Sequence, residues 1–407
     1  NIQNIVQTEI HAYLEEIPAK SAAVIIQDPN TGAVLAMADS DDFDLNNPRD
    51  MSMHYTAEEL DAMSDEEVTA ALTTMWRNYC ITQNFEPGST FKPFTLAMGL
   101  EEDSVKMDDM YNCWGSLQFL DKVVGCHSEG GHGYIDTWTA IQESCNVGLM
   151  EMSQAIGKVD FCRYQRKFGF GSFTDIDLPH EADCNSFLYN DRNMSELDLA
   201  TNSFGQNFNV TMIQMITGFS SLINGGHLYK PYVTQNIYTA QGEKVLSNDK
   251  TLVAETVAKT TSDTCKQAMR RVVAYGTGTD ASVDGYVISG KTGTAEKAGR
   301  EEGNYLISFI GFAPYDEPQV VCYVTIDEPS TGDAQGISAG LFRNIMEKVL
   351  PYLNIPTAAE DHDPEGIMTE GPGIVTTEDA NAAEENYDEY YEEEYEEDYE
   401  EEYNEEN

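Results

Sequence analysis

Glu86-Pro-Gly-Ser-Thr-Phe-Lys-Pro93 is the stretch on which the reading of this chain turns. Pro87-Gly88 supplies turn chemistry, and Pro93 falls where a helix's first turn loses least from a missing N–H, so the pattern predicts a helix beginning near Ser89. Residues three apart on a helix share a face, which sets the Lys92 amine beside the Ser89 hydroxyl. Serine is a poor nucleophile until a neighbour takes its proton, and a partly buried lysine can do so once its charged form is disfavoured. A helix N-terminus repels an ammonium and stabilises a forming oxyanion, so the place suits an active serine. Taken alone, Ser-x-x-Lys is far more often merely an N-cap and a solvated lysine.

Two further motifs lie downstream. Ser144-Cys-Asn146 opens an apolar, helix-patterned run and can aim a hydroxyl and an amide into one cleft, although both side chains are also ordinary caps. Lys291-Thr-Gly-Thr294 is expected just after a strand over residues 286–289. Gly293 lets an extended peptide approach and pair with this strand, Lys291 supplies positive charge, and the Thr292 and Thr294 hydroxyls can receive a carboxylate. Each motif alone is weak. In this order, 55 and 202 residues after the first serine, they form the set of penicillin-interacting serine enzymes.

On those residues the chain resembles the transpeptidase domain of a class B penicillin-binding protein of the division, elongation or sporulation type. The likeness extends over nearly all of residues 1–356: Ala22-Ala-Val-Ile-Ile-Gln-Asp-Pro-Asn-Thr-Gly-Ala-Val-Leu-Ala-Met37, Phe43-Asp-Leu-Asn46, Phe204-Gly-Gln206, Thr211 with Gln214, Asn224-Gly-Gly226 and Lys230-Pro231 also fit. The resemblance implies acyl transfer on a D-Ala-D-Ala stem peptide of peptidoglycan. Ser89 would be the nucleophile, Lys92 its base, and Ser144 a relay to the departing D-Ala. The N–H groups of Ser89 and Thr294 would form the oxyanion hole, Lys291, Thr292 and Thr294 would hold the carboxylate around Gly293, and Asn146 would hold the substrate amide. β-Lactam antibiotics would acylate the same Ser89, with no cofactor and no metal. A glycosyltransferase partner and a place on the outer face of a bacterial cell membrane are implied as well. A D,D-carboxypeptidase, a serine β-lactamase and a penicillin-sensing scaffold share the motifs; no E-x-x-L-N-type deacylation segment is present.

Working outward, residues 5–14 carry helical spacing, and 22–26 with 34–38 are apolar β-type runs around the turn Asp28-Pro-Asn-Thr-Gly32. Helices are expected over 56–76, 141–156, 210–223, 261–273 and 341–350, and strands over 285–289, 305–313 and 319–326. Strands at both ends of the chain must then complete one sheet, an α+β arrangement. With the resemblance, this becomes a serine β-lactamase/D,D-peptidase-like fold, an antiparallel sheet flanked by helices with an all-helical lobe.

Composition bounds the alternatives. The 407 residues carry 71 Asp+Glu against 23 Lys+Arg, a formal charge of −48, and no basic patch appears, which excludes nucleic acid and bare anionic membrane as default partners. Of those acids, 22 lie in residues 357–407 with no Lys or Arg, and Tyr387, Tyr391, Tyr395, Tyr399 and Tyr403 recur every four residues there. That segment reads as a solvated, disordered tail. No apolar run is long enough to span a bilayer, and a chain starting at Asn1 reads as a fragment whose anchor is absent. The 8 cysteines show no C-x-x-C. Cys113 and Cys126 bracket an expected hairpin and are a candidate disulfide. Asp109, Cys113, Cys126, His127 and His132 offer zinc-type ligands, but their spacing fits no standard finger. Cys145 is expected only to pack beneath the cleft.

Overall fold

The structure is a computed structural model that describes residues 1–119, 122–297, 304–332 and 336–358. The expected acidic tail lies, from residue 359 onward, outside the described residues.

The expected union of distant strands is found. Strands β1 (Ser21–Gln27), β2 (Val34–Asp39), β3 (Ser289–Glu296), β4 (Tyr305–Ala313) and β5 (Val320–Asp327) form one sheet in the order β3-β4-β5-β1-β2. Every neighbour is antiparallel. The register pairs Ala22 with Ile326 and Ile25 with Tyr323, so the first hairpin is stitched to strands three hundred residues later.

The sheet is buried on both faces, which is why its strands read as continuous apolar runs rather than alternating ones. Ala22, Val24 and Ile26 pack with Ile307, Phe309, Cys322 and Val324 against helix α1 (Ile2–Glu16) and the last helix, α5 (Ile337–Tyr352). The alternate residues Ala23, Ile25, Ile310, Phe312, Val321 and Tyr323 face the helical lobe. Two helices of that lobe are buried on every face. In α2 (Lys92–Glu101) the first eight residues are buried, and in α4 (Met212–Ile223) all twelve are. Phe94 of α2 meets Phe168, Phe170 and Phe91 with ring centroids 5.0–5.2 Å apart. Aromatic pairs of this kind contribute about 0.5–1.5 kcal/mol each beyond area burial, so the nucleophile motif rests on a rigid floor.

Several expectations are corrected. The helix over 56–76 is two helices, Ala57–Ala62 and Asp65–Met75, each opened by its own capping box at Thr56 and Ser64. The strand expected over 285–289 instead begins at Ser289, so Lys291-Thr-Gly-Thr294 lies inside β3 rather than after a strand. The helix expected over 141–156 is broken between Thr137–Gln142 and α3 (Asn146–Ile156). Periodicity runs through that break because both pieces send apolar residues, Ala140 and Ile141 from one and Val147 and Leu149 from the other, into the same core.

Candidate active site

The nucleophile motif folds as a 3-10 turn, Gly88–Phe91, running directly into α2. In a 3-10 turn side chains three apart nearly eclipse, which sets half-buried Ser89 and Lys92 on one side of the turn, although the hydrogen bonds of Lys92 Nζ go to the second motif. Gly88 has φ +56° and donates its N–H to the Gly205 carbonyl at 2.9 Å. A Cβ there would stand 2.6 Å from the Thr294 carbonyl oxygen, so only glycine lets the turn press against β3.

Lys92 is fully buried and reaches across to the second motif. Its Nζ donates to the Ser144 carbonyl at 2.5 Å, the Ser144 hydroxyl at 3.1 Å and Asn146 Oδ1 at 2.7 Å. Ser144 lies at the helix break with φ +56°. A non-glycine residue held there stores of the order of 1–3 kcal/mol, a strain that surrounding structure must impose. Cys145 caps α3, its sulfur accepting from the Gly148 N–H at 3.4 Å. The Asn146 amide also donates to the Gly125 carbonyl at 3.1 Å.

The third motif completes the cleft from the sheet. Lys291, also fully buried, donates to the Ser144 hydroxyl at 2.9 Å. It also bonds the Thr292 carbonyl at 3.2 Å and the Thr292 hydroxyl at 3.3 Å. Thr292 in turn pairs with the Thr277 hydroxyl at 2.9 Å, a residue that sequence reading passed over because no motif surrounds it. Among the described residues no strand pairs with the outer edge of β3, where exposed Thr294 sits. The reason for Gly293 differs from the expected one. It faces inward, and a Cβ would meet Ser308 Oγ at 2.5 Å and Thr90 Cγ2 at 2.8 Å.

Burial governs the charges here. It lowers the Lys92 pKa from 10.5 to about 8, with the nearby Cys145, Cys126 and Cys113 opposing the shift. It carries Lys291 well below the ordinary lysine range, and the Lys92 charge pushes the same way. Two ammonium groups sharing one hydroxyl in a dry site are thereby driven toward a neutral amine.

Sequence reading named no metal here and gave Cys145 a packing role; Cys145 is indeed buried in the core, and folding also brings it beside three other donors. The donor atoms of Cys113, Cys126, His132 and Cys145 all lie within 4.8 Å of one another. Asp109 and His127, expected in such a group, are outside it, and the His127 ring instead bonds the Glu143 carbonyl at 2.8 Å. His132 Nδ1 is 3.5 Å from Cys113 Sγ and 3.6 Å from Cys126 Sγ, and Cys126 Sγ is 4.0 Å from Cys145 Sγ. Tetrahedral zinc, with Zn–S near 2.3 Å and Zn–N near 2.05 Å, sets S···N edges of about 3.6 Å and S···S edges of about 3.8 Å. The donor set fits such an ion in type and in size. The candidate Cys113–Cys126 disulfide is absent: both thiols are free.

A serine and two buried lysines converging on a helix-to-sheet cleft define an acyl-transfer site of the penicillin-interacting class. The chain belongs to the family described as penicillin binding protein transpeptidase domain, whose model matches residues 22–347. It is 34% identical over 366 residues to stage V sporulation protein D of Bacillus subtilis, covering 87% of this chain and 53% of that one. To peptidoglycan D,D-transpeptidase FtsI of Escherichia coli it is 28% identical over 382 residues, covering 91% and 58%. The fold matches that of penicillin binding protein 3 from Mycobacterium tuberculosis complexed with ampicillin, with TM-score 0.77, 27% identity and coverage of 89% and 78%. The chain thus spans little more than half the length of these two curated relatives.

Proposed function

We propose that this chain is the catalytic domain of a peptidoglycan D,D-transpeptidase. The observation that carries the reading is the convergence of Lys92 and Lys291 on the Ser144 hydroxyl beside the Ser89 turn. Ser89 attacks the penultimate carbonyl of a D-Ala-D-Ala stem peptide, and Lys92, favoured as a neutral amine by burial, accepts its proton. Ser144 relays a proton to the leaving D-Ala. The backbone N–H groups of Ser89 and Thr294 receive the charge that grows on the carbonyl oxygen. Lys291, Thr292 and Thr294 hold the terminal carboxylate around Gly293, on the open edge of β3, and Asn146 holds the substrate amide. An amine from a second stem peptide then takes the acyl group, forming the cross-link, and β-lactams acylate the same serine.

Cys113, Cys126, His132 and Cys145 would hold a zinc-type ion in a closed four-ligand site that supplies structure rather than an open coordination position. Its likeness to stage V sporulation protein D and FtsI supports reading the chain as working on the outer side of a bacterial membrane beside a glycosyltransferase partner. Among the described residues no helix is long and apolar enough to cross a membrane.

Fluorescent penicillin tests the reading. Stable label mapped to Ser89 by peptide mass spectrometry, with release of D-Ala and cross-linked product from a stem-peptide donor and acceptor, is the expected result. Rapid loss of label would instead identify a hydrolase, and unlabelled wild-type protein would refute the enzyme.

A further inference from the structure

We infer that Arg270, Arg271 and the Lys291 end of the cleft form a docking surface for this chain's own acidic, tyrosine-bearing segment 387–403, which competes there with substrate and with β-lactams. The inference rests on the transpeptidase reading for the role of the cleft, and on charge and chain placement for the occupant. It starts from the point at which the described chain ends. The Ala358 N–H donates to the Gly285 carbonyl at 2.9 Å. Gly285 lies four residues before Ser289, the first residue of β3, and six before Lys291. Six residues span at most about 22 Å, so the segment departs close to the end of the cleft that receives a carboxylate. Tyr387 comes 29 residues after Ala358, ample reach for that distance whatever path the chain takes.

Between that exit and the cleft stand two guanidinium groups. Arg270 Nη1 donates to the Ile288 carbonyl at 3.1 Å, immediately before β3. Arg271 Nε donates to Gln142 Oε1 at 3.2 Å, and its guanidinium lies over the Trp138 ring, 5.6 Å from the centroid, beside the Ser144 motif. Both belong to the helix Lys259–Tyr275 and both are half-buried, so each is held in place without being enclosed. The adjoining Glu143 carboxylate accepts from the Gln142 amide at 2.8 Å. In a chain of net charge −48, positive charge thus leads from the start of β3 to Lys291, and an arriving carboxylate favours the charged form of that amine. A guanidinium takes two kinds of partner, a carboxylate gripped by two N–H groups and an aromatic face. Residues 387–403 offer both at close intervals: Tyr387, Tyr391, Tyr395, Tyr399 and Tyr403 are interspersed with Glu and Asp, with no Lys or Arg among them. Tethering makes the encounter intramolecular, so even a weak contact is populated.

The experiment compares the whole chain with a whole-chain variant carrying Glu392→Gln, Glu393→Gln, Glu394→Gln, Glu396→Gln and Glu397→Gln. Labelling of Ser89 by fluorescent penicillin is followed from about 10 mM salt, where charges act over about 30 Å, to about 300 mM. In wild type the second-order labelling rate should rise about 5- to 20-fold with salt, through the apparent affinity for penicillin and not through the limiting acylation rate. The glutamine variant should label fast already at low salt. A synthetic peptide of residues 384–406 should then slow the variant in competition with penicillin. Arg270→Gln and Arg271→Gln should each speed low-salt labelling of the otherwise wild-type chain and add nothing to the glutamine variant, whereas damage to the Ser144 motif would slow labelling instead.

Three results would overturn the inference: an equal salt-dependent rise in wild type and glutamine variant, which would assign the effect to general repulsion of penicillin by an acidic protein; no competition by the peptide; or arginine variants that circular dichroism shows to be folded and that label no faster than wild type at low salt. If the arginine variants unfold, the peptide competition decides. Labelling of every chain at one rate would sink the docking and leave the transpeptidase standing. Absence of labelling in every chain at every salt would sink the transpeptidase reading itself.

Discussion

Lys291 donates to the Ser144 hydroxyl at 2.9 Å, joining the edge strand of the sheet to the helical lobe through one oxygen atom. Lys92 approaches that oxygen from the other side at 3.1 Å. The Ser144 hydroxyl can accept from both only while it donates elsewhere, so its proton is free to point into the cleft. A relay from the nucleophile to the leaving group needs such a geometry.

Lys92→Met should abolish covalent labelling while leaving the chain folded. The substitution removes the proton acceptor, worth about 100- to 10,000-fold in rate. It also leaves Asn146 Oδ1 and the Ser144 carbonyl without their donor, costing about 1–3 kcal/mol. Stopped-flow acylation and urea denaturation measure the two effects separately. Labelling at wild-type rate would remove Lys92 from the chemistry.

The rate of acylation should climb with pH through about 8 if, as proposed, the neutral Lys92 amine is the base, because burial lowers its pKa to that value. Stability should move the same way. A lysine whose folded pKa lies below its unfolded 10.5 binds fewer protons when folded, so the penalty for burying the charge is complete below about 8. It is relieved as pH rises toward 10.5. A pH series of acylation in wild type, with Lys92→Met subtracting the contribution of this group from the denaturation midpoints, tests both signs.

Gly293→Ala should weaken the joint between sheet and nucleophile turn. The added methyl meets Ser308 and Thr90 at sub-contact distance, and overpacking of this kind costs about 1–3 kcal/mol. Labelling should fall along with thermal stability, since β3 and the Gly88–Phe91 turn move apart together. Unchanged melting and labelling would show that the strand yields without disturbing the turn.

Phe94→Ala should be among the most damaging changes away from the cleft. The ring is fully buried against Phe91, Phe168 and Phe170, and loss of such a side chain costs about 3–5 kcal/mol. Thermal unfolding should shift down by many degrees while any folded protein still labels on Ser89.

Much of this architecture was legible because it is written locally. The alternation of Ala22, Val24 and Ile26 with Ala23 and Ile25 marks a strand buried on two faces, and Pro-Gly before Ser89 with Pro93 after it marks a helix start. What stayed hidden depends on tertiary placement. The break at Ser144 is imposed by contacts, not by a breaker residue, so helical periodicity concealed it. The inward aim of Gly293 needs Ser308 and Thr90, which lie on other elements. Cys113, Cys126 and His132 were grouped from sequence, but that Cys145 joins them while Asp109 and His127 do not needs folding, because no spacing rule links segments that only tertiary structure brings together.

The two lysines bear on Ser144 from layers whose sequences lie some two hundred residues apart, and neither the turn nor the strand makes a reactive serine by itself. On the proposed function, labelling by a β-lactam therefore counts molecules in which sheet and helical lobe have docked. An antibiotic adduct would then double as a census of the folded population, readable in a crude extract where spectroscopy is blind.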